Sequence, residues 1–152
     1  MLGKLDYQNV STHTKIPSHL ECKRWIKKVL IHQQCRGDIC LRIVDQPEMI
    51  LLNQTYRQKK GPTNVLAFPH QAIGDNERQF LGDLIICAPI VLEESIAQDK
   101  PVNAHWAHLI IHGTLHLLGY DHYLEEEAQE MEALEIKLLS ELNITNPYQE
   151  RF

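Results

Sequence analysis

The sequence predicts an α+β fold, in which a mixed four-stranded sheet packs against helices and a central buried helix carries a three-histidine metal motif. Segments with the two-residue period of strands alternate with segments that have the apolar spacing of helices. The chain has 152 residues, enough for one domain with a sizeable core and too few for two of ordinary size. Because no internal repeat or linker divides it, residues 1–152 are expected to form a single domain.

The first half of the chain is predicted to alternate strand and helix. Ile39, Leu41 and Ile43 are spaced two apart, as in a strand with one buried face. Ser18 is a suitable N-cap for the first helix, and Pro47 suits the first turn of the second. The predicted ranges are 5–10 and 38–45 for the two strands, and 18–34 and 47–56 for the two helices.

The second half begins with two strands joined by a loop, which are therefore expected to be antiparallel, whereas the earlier strands are expected to run parallel. Gly82 and Asp83 indicate a bulge in the second of these strands. Asn103 is expected to cap the following motif-bearing helix, which is apolar on nearly every face and must be buried. The other predicted ranges are 64–68 and 79–88 for the strands, 89–99 for a helix, and 124–142 for a final acidic amphipathic helix.

The most informative segment of the chain is HGTLHLLGYDH, at residues 112–122. His112 and His116, four residues apart, lie on one face of a helix. Gly119 can adopt the left-handed conformation that ends a helix, which lets the chain turn back and bring His122 to the same point. Three imidazoles with no fourth protein ligand in the motif make a tetrahedral metal site with one position open for water, as catalysis requires.

The histidine spacing is that of the metalloprotease motif H-E-x-x-H-x-x-G-x-x-H, with one departure. Gly113 stands where those proteases have the glutamate that acts as general base. The sequence therefore predicts metal-assisted hydrolysis of something other than a peptide, or the use of a different base. Asp121 is a candidate for that base, for positioning a ligand histidine, or for capping the following helix.

Two more histidines precede the motif on the same predicted helix. His105 and His108 fall on the same side as His112 and His116 when residues are placed at about 100° intervals. Both can simply face the cleft or the solvent. His108, one turn before the first motif histidine, can also orient a ligand or shuttle a proton.

The amino-acid composition is that of a soluble globular protein. The hydrophobic content of 43% and the charged content of 23% are ordinary for a soluble globular domain. No run is long and apolar enough to span a membrane, and the first residues do not resemble a signal peptide, so a cytoplasmic location is expected. The four cysteines have no C-x-x-C pairing and are expected to be reduced and mostly buried.

Charge is distributed unevenly along the chain. The net charge of −5 argues against a generic nucleic-acid binder. However, residues 1–60 carry 11 Lys and Arg against 5 Asp and Glu, whereas residues 61–152 carry 4 against 15. A basic half of this kind can face a polyanion, or it can be merely a solvated surface.

The chain resembles the YbeY family of bacterial metal-dependent endoribonucleases, which are implicated in ribosomal RNA maturation. The resemblance rests on the histidine motif at 112–122, on LNQTYRQKKGPTNVLAFP at 52–69, and on GDLII at 82–86. Two positions depart from the family pattern: Asn64 stands in place of an acid, and Ala67 in place of a serine.

The resemblance implies one zinc ion per chain, held by His112, His116 and His122. It also implies cleavage of single-stranded RNA in ribosomal RNA maturation and ribosome quality control. The partners would be ribosomal RNA and the ribosome or its small subunit, with no membrane involved.

Three residues are candidates for catalysis: Arg57, His116 and Asp121. A guanidinium can donate two parallel hydrogen bonds to a phosphate, so Arg57 is the candidate for holding the scissile group. We expect it to lie within reach of the metal, with Lys59, Lys60 and the basic face at 23–28 forming a positive rim.

Two other functions stay open at this stage. A metal-dependent peptidase fits the histidine spacing but lacks the glutamate and a plausible Met-turn. A non-catalytic, metal-stabilised module that docks on the ribosome would need a fourth protein ligand, for which Cys87 and Asp83 are the candidates.

Overall fold

The computed structural model of the protein describes residues 3–70, 79–121 and 124–148, and within them the elements follow the predicted order. The α+β prediction is therefore confirmed. The elements are β1 (Leu5–Asn9), α1 (His19–His32), β2 (Asp38–Val44), α2 (Gln46–Arg57), β3 (Val65–Pro69), β4 (Phe80–Cys87), α3 (Ala88–Ala97), α4 (Val102–Leu117) and α5 (Glu125–Glu141).

The four described strands form one mixed sheet in the order β1-β2-β4-β3. β1, β2 and β4 run parallel, whereas β3 and β4 pair antiparallel, as predicted. A register shift lies near the predicted bulge: Asp38 faces Phe80, but the next residue, Ile39, faces Gly82. The extra residue in β4 is therefore Leu81, one position before the predicted pair.

One face of the sheet packs against the main core, and α4 lies at the centre of that side. The main core joins α1, α4 and α5 to residues such as Leu41 and Leu84 on the strands. Trp106, Ile110 and Leu115 of α4 are all 0% exposed, which confirms the prediction of a central buried helix. A smaller apolar cluster on the opposite face packs α2 against β3 and β4. Its buried members are Val44, Met49, Leu66, Ile85 and Cys87.

The two predicted helix caps have different outcomes. Ser18 caps α1 and forms a reciprocal capping box with Glu21, as its position before the apolar stripe indicated. The prediction that Asn103 caps α4 is wrong. Pro101 occupies the N-cap position, and its carbonyl oxygen accepts from the backbone N–H of His105 at 3.2 Å. The side-chain amide of Asn103 instead donates to Glu21 at 3.0 Å, which ties α4 to α1.

Replacement of Gly82 by alanine is expected to lower the free energy of unfolding by about 3 kcal/mol or more. Its φ of +147° is one that other residues rarely adopt, and an added Cβ would lie 2.3 Å from the carbonyl oxygen of Phe68. Gly61 is the matched control, because its φ is +82° but nothing lies within 4 Å of its added Cβ. Gly61→Ala should cost only about 1–2 kcal/mol. Urea unfolding of both variants measures the difference, and equal losses would contradict the proposed collision.

The structure bears on the expected state of the cysteines and on the search for membrane-spanning helices. All four cysteines are free thiols, and Cys22 and Cys87 are buried. Burial raises the pKa of the Cys22 thiol to about 12, which keeps it protonated and unreactive. Within the described ranges, no helix has the length and apolarity needed to cross a membrane.

Candidate active site

Two of the three predicted metal ligands converge on α4. The Nε2 atoms of His112 and His116 face each other at 3.1 Å. Two nitrogen ligands of a tetrahedral zinc ion, with bonds of about 2.0–2.1 Å, are separated by about 3.3 Å, so the pair fits such an ion. His122, the third predicted ligand, lies outside the described residues.

The glycine that replaces the protease glutamate packs closely against side chains of the sheet. Gly113 lies between the two histidines, on the side of α4 that faces the sheet. A Cβ at this position would lie 2.7 Å from Cδ2 of Leu84 and 3.5 Å from Cγ2 of Val65. Leu84 is 0% exposed, so a larger residue at position 113 would require this core side chain to shift.

The other ring nitrogen of His112 contacts a buried carboxylate that the sequence analysis missed. Nδ1 of His112 is hydrogen-bonded to Oε1 of Glu135, which is 0% exposed on α5. The second oxygen, Oε2, accepts from the hydroxyl of Tyr148 and lies 3.4 Å from Nε2 of His108. Burial by itself raises the pKa of the Glu135 carboxyl. The hydrogen bonds from these neighbours outweigh it and lower the pKa to about 2.

These contacts create a second group that could hold a metal. Ligand atoms of His108, His112 and Glu135 lie within 4.8 Å of one another. Glu135 is 0% exposed, however, and His108 lines a separate cavity with Tyr148, so His112 is the one member of this cluster that lines the cleft containing His116.

The His112–His116 pair lines an open cleft of about 730 Å³ between α4, β3 and the end of α2. The cleft contains Arg57, His112 and His116 from the sequence analysis, together with Asp121 in the turn after α4. Its arginine, lysine, histidine and aspartate lining residues are Arg57, Lys59, Lys60, His112, His116 and Asp121. Three of these carry fixed positive charge, as expected for a surface that binds a phosphate group.

Arg57 is held against the wall of the cleft. Its Nη2 donates to the carbonyl oxygen of Ala67 at 2.6 Å, and its guanidinium carbon lies 5.0 Å from the ring centroid of Phe68. Stacking on an aromatic face and a single backbone bond restrict the plane of the guanidinium. A guanidinium has five N–H donors, so this arrangement leaves donors that can meet a phosphate.

The loop that carries Lys59 and Lys60 is held in place by a hydrogen bond from α2. Gln58 ends α2 with a left-handed φ of 56°, and the chain then turns toward β3. Asn53, which is 4% exposed, donates its side-chain amide to the carbonyl oxygen of Gly61 at 2.9 Å. Lys59 and Lys60 therefore extend from a fixed turn, although both side chains are exposed.

His105 differs from the expectation that it faces the cleft or the solvent. It is 4% exposed, and its Nε2 lies 2.9 Å from Oε1 of Glu94 on α3. The same carboxylate accepts from Nδ2 of Asn64 at 3.1 Å. Hydrogen bonding by His105 lowers the pKa of Glu94 against the effect of burial. An aspartate at position 64 would place a second carboxylate against Glu94, which accounts for asparagine there.

The basic face of α1 also differs from its predicted place. Lys23, Arg24, Lys27 and Lys28 line a separate groove between α1 and α5, where Lys28 pairs with Glu141 at 3.0 Å. The C-terminal end of α1 nevertheless contacts a residue of the cleft. Tyr120 of the cleft donates its hydroxyl to Oε1 of Gln33, the residue that ends α1, at 3.1 Å.

The two candidates for a fourth protein ligand do not line the cleft. Cys87 is buried in the apolar cluster on the other sheet face. Asp83 lies beside Cys40 on the sheet, and the hydrogen bond between them contributes to the raised pKa of that thiol. Among the described residues, the cleft therefore supplies the histidine pair with no cysteine or further histidine.

The sequence carried a signal for Glu135 but none for Tyr148. Glu135 occupies a position on the apolar stripe of α5, between Met131 and Leu138, and a lone glutamate on such a stripe is a usable signal. Tyr148 follows the last helix in a short irregular segment. No local pattern indicated that its hydroxyl reaches a carboxylate on α5.

The chain is similar to known proteins in sequence and in fold. The family model described as Endoribonuclease YbeY matches residues 6–143 of the chain. The solution structure of TM1509 from Thermotoga maritima is similar in fold, with a TM-score of 0.59 and 20% sequence identity. The alignment covers 96% of this chain and 99% of that one. At that identity, the structural likeness supports the fold alone.

Proposed function

The chain belongs to the YbeY endoribonuclease family, and from that membership we propose that it is a zinc-dependent, single-strand-specific endoribonuclease that acts in ribosomal RNA maturation and ribosome quality control. The observation that carries the proposal is the shared cleft. One surface brings together the His112–His116 pair, the anchored guanidinium of Arg57 and two lysines. A family of RNA-cleaving enzymes and a cleft with metal-binding and phosphate-binding groups point to the same chemistry.

The metal proposed for this site is one Zn²⁺ per chain, held by His112, His116 and His122. When bound, it would polarise a phosphoryl oxygen and lower the pKa of a coordinated water. Side chains of the protein would bind the phosphate and transfer the proton. Arg57 would hold the phosphate and absorb the charge that develops on its oxygens. Asp121 lies in the same cleft, where it can position a ligand or accept a proton.

The two competing functions fit the structure less well. A peptidase of the type suggested by the histidine spacing needs a carboxylate at position 113, where this chain has a glycine packed against Leu84. A purely structural metal normally has four protein ligands. The alternatives considered for the fourth, Cys87 and Asp83, lie outside the cleft. RNA also brings its own nucleophile, the 2′-hydroxyl, so its cleavage does not require a base at position 113.

The proposed partners are single-stranded and ribosomal RNA, together with the ribosome or its small subunit, in the cytoplasm. The basic first half of the chain supports a polyanionic partner. The α1 face, with Arg24 and Lys27 exposed, is a second place where an RNA backbone can be bound outside the cleft.

A parallel assay tests the proposed function. The purified protein is incubated with labelled single-stranded RNA, with the same sequence as a duplex, and with casein, each with and without a chelator. We expect chelator-sensitive cleavage of the single strand, slower or no cleavage of the duplex, and intact casein. Chelator-sensitive proteolysis with intact RNA would favour the peptidase. Cleavage of neither substrate would favour the non-catalytic ribosome-binding module.

A further inference from the structure

Glu135 is an ionisable group that the fold buries completely. It is 0% exposed and lies on α5 among apolar residues such as Met131 and Leu139. An ionised carboxylate is stable in such a place only when hydrogen bonds replace the lost water. Both oxygens of Glu135 have partners. Oε1 contacts His112 on α4, and Oε2 contacts His108 on α4 and Tyr148 after α5. The position of Glu135 is therefore defined by what it binds.

The contact with His112 determines where that ring carries its proton. A carboxylate only accepts hydrogen bonds, so the proton shared with Oε1 of Glu135 belongs to Nδ1 of His112. A neutral imidazole that is protonated at Nδ1 has its lone pair at Nε2. Nε2 is the atom that faces His116 in the cleft. Glu135 thus selects the tautomer in which His112 can bind a metal.

Tyr148 holds the other side of the same carboxylate. Its hydroxyl donates to Oε2, and burial together with Glu135 raises the pKa of the phenol, which keeps it a donor. The segment that carries Tyr148 is itself fixed. Its backbone N–H donates to Oδ1 of Asn146 at 2.8 Å, and Lys100 reaches the carbonyl oxygen of Pro147 at 3.5 Å. With Oε2 engaged, Oε1 stays directed at His112.

We infer that Glu135 is a positioning residue for the metal centre, which fixes the tautomer and ring plane of His112, and that Tyr148 holds Glu135 in place. The inference rests on the proposed metal site of the cleft. It extends that site from the histidines on α4 to α5 and to the segment at 143–148. Carboxylate partners of metal-bound histidines commonly act in this way, and their loss weakens metal affinity about 10- to 100-fold.

The first test uses the unaltered protein without metal. Nitrogen-15 NMR of the histidine rings distinguishes an imidazole protonated at Nδ1 from one protonated at Nε2. We expect His112 to carry its proton at Nδ1 in the wild type and to lose that preference in Glu135→Gln. A wild-type His112 protonated at Nε2 would overturn the inference, whatever the variants do.

The second test measures zinc affinity by competition with a chromogenic chelator. Glu135→Gln should bind zinc about 10- to 100-fold more weakly, and Tyr148→Phe about 2- to 10-fold more weakly. Glu130→Gln is the matched control: it removes an exposed charge from the same helix and should bind zinc as the wild type does.

The affinities also separate this inference from the proposed function. Wild-type affinity in Glu135→Gln would overturn the positioning role. A loss as large as that caused by removing His116 would make Glu135 a ligand, which also overturns it. If zinc affinity and the tautomer depend on Glu135 but the wild type leaves RNA intact, the positioning role stands and only the nuclease proposal fails.

Discussion

His116→Ala should abolish both zinc binding and RNA cleavage. The substitution removes one of the two Nε2 atoms that face each other at 3.1 Å in the cleft. Groups that act only on a ligand contribute about 10- to 100-fold to affinity, so loss of a ligand itself should exceed about 100-fold. Zinc content after dialysis and chelator competition measure binding, and single-stranded RNA measures activity. His116 is only partly buried, so the fold should survive, which circular dichroism can verify.

His108→Gln is the comparison that locates the metal. A metal in the cleft uses His116 and not His108, which lines a separate cavity, so His108→Gln should retain zinc to within about 10-fold. A metal held instead by the buried cluster of His108, His112 and Glu135 would give the opposite pattern. Zinc lost from His108→Gln and retained by His116→Ala would therefore contradict the proposed site.

Arg57→Ala should lower the rate of RNA cleavage on the order of 100- to 1,000-fold with zinc content unchanged. Arg57 lies in the cleft with the histidine pair but is not a metal ligand, and its guanidinium is anchored on Ala67 and Phe68. Loss of a donor aimed at developing charge slows the chemical step more than it weakens substrate binding. Single-turnover cleavage at saturating RNA measures that step.

Two further variants show whether the effect belongs to the guanidinium. Arg57→Lys keeps the charge but loses the planar fork, so its rate should lie between those of the wild type and the alanine variant. Arg36→Ala removes an exposed arginine that does not line the cleft and should cleave as the wild type does. An equal loss in Arg36→Ala would mean that overall charge, rather than the position of Arg57, controls the rate.

The sequence predicted the elements and their order because these depend on local patterns. Strand β2 and helix α1 each have a clear apolar period, and Ser18 is a strong local start signal. The Asn103 cap was wrong because a good capping residue two positions into the helix competed with Pro101. Pro101 has a ψ of 137°, which is extended, and the helix begins directly after it.

Some residues of the site could likewise be predicted from local sequence, whereas others depend on contacts between distant parts of the chain. The spacing of His112 and His116 was enough to predict that they share a face, and the structure places Arg57 in the same cleft. The contact of Glu135 with His112 spans 23 residues and depends on how α5 packs on α4. Tyr148 depends on a segment with no regular structure. The third ligand, His122, remains a prediction.

The hydrogen bond between Arg57 and the carbonyl oxygen of Ala67 also bears on aggregation of the protein in concentrated solution. β3 is the last strand in the sheet order, so its outer edge has no neighbouring strand among those described. Open edges can pair with strands of other molecules and start aggregation. Here the strand is only five residues long, it ends at Pro69, and a charged guanidinium covers one of its carbonyl groups. The residue proposed to hold the phosphate therefore also helps to keep separate copies of the protein from associating through this edge.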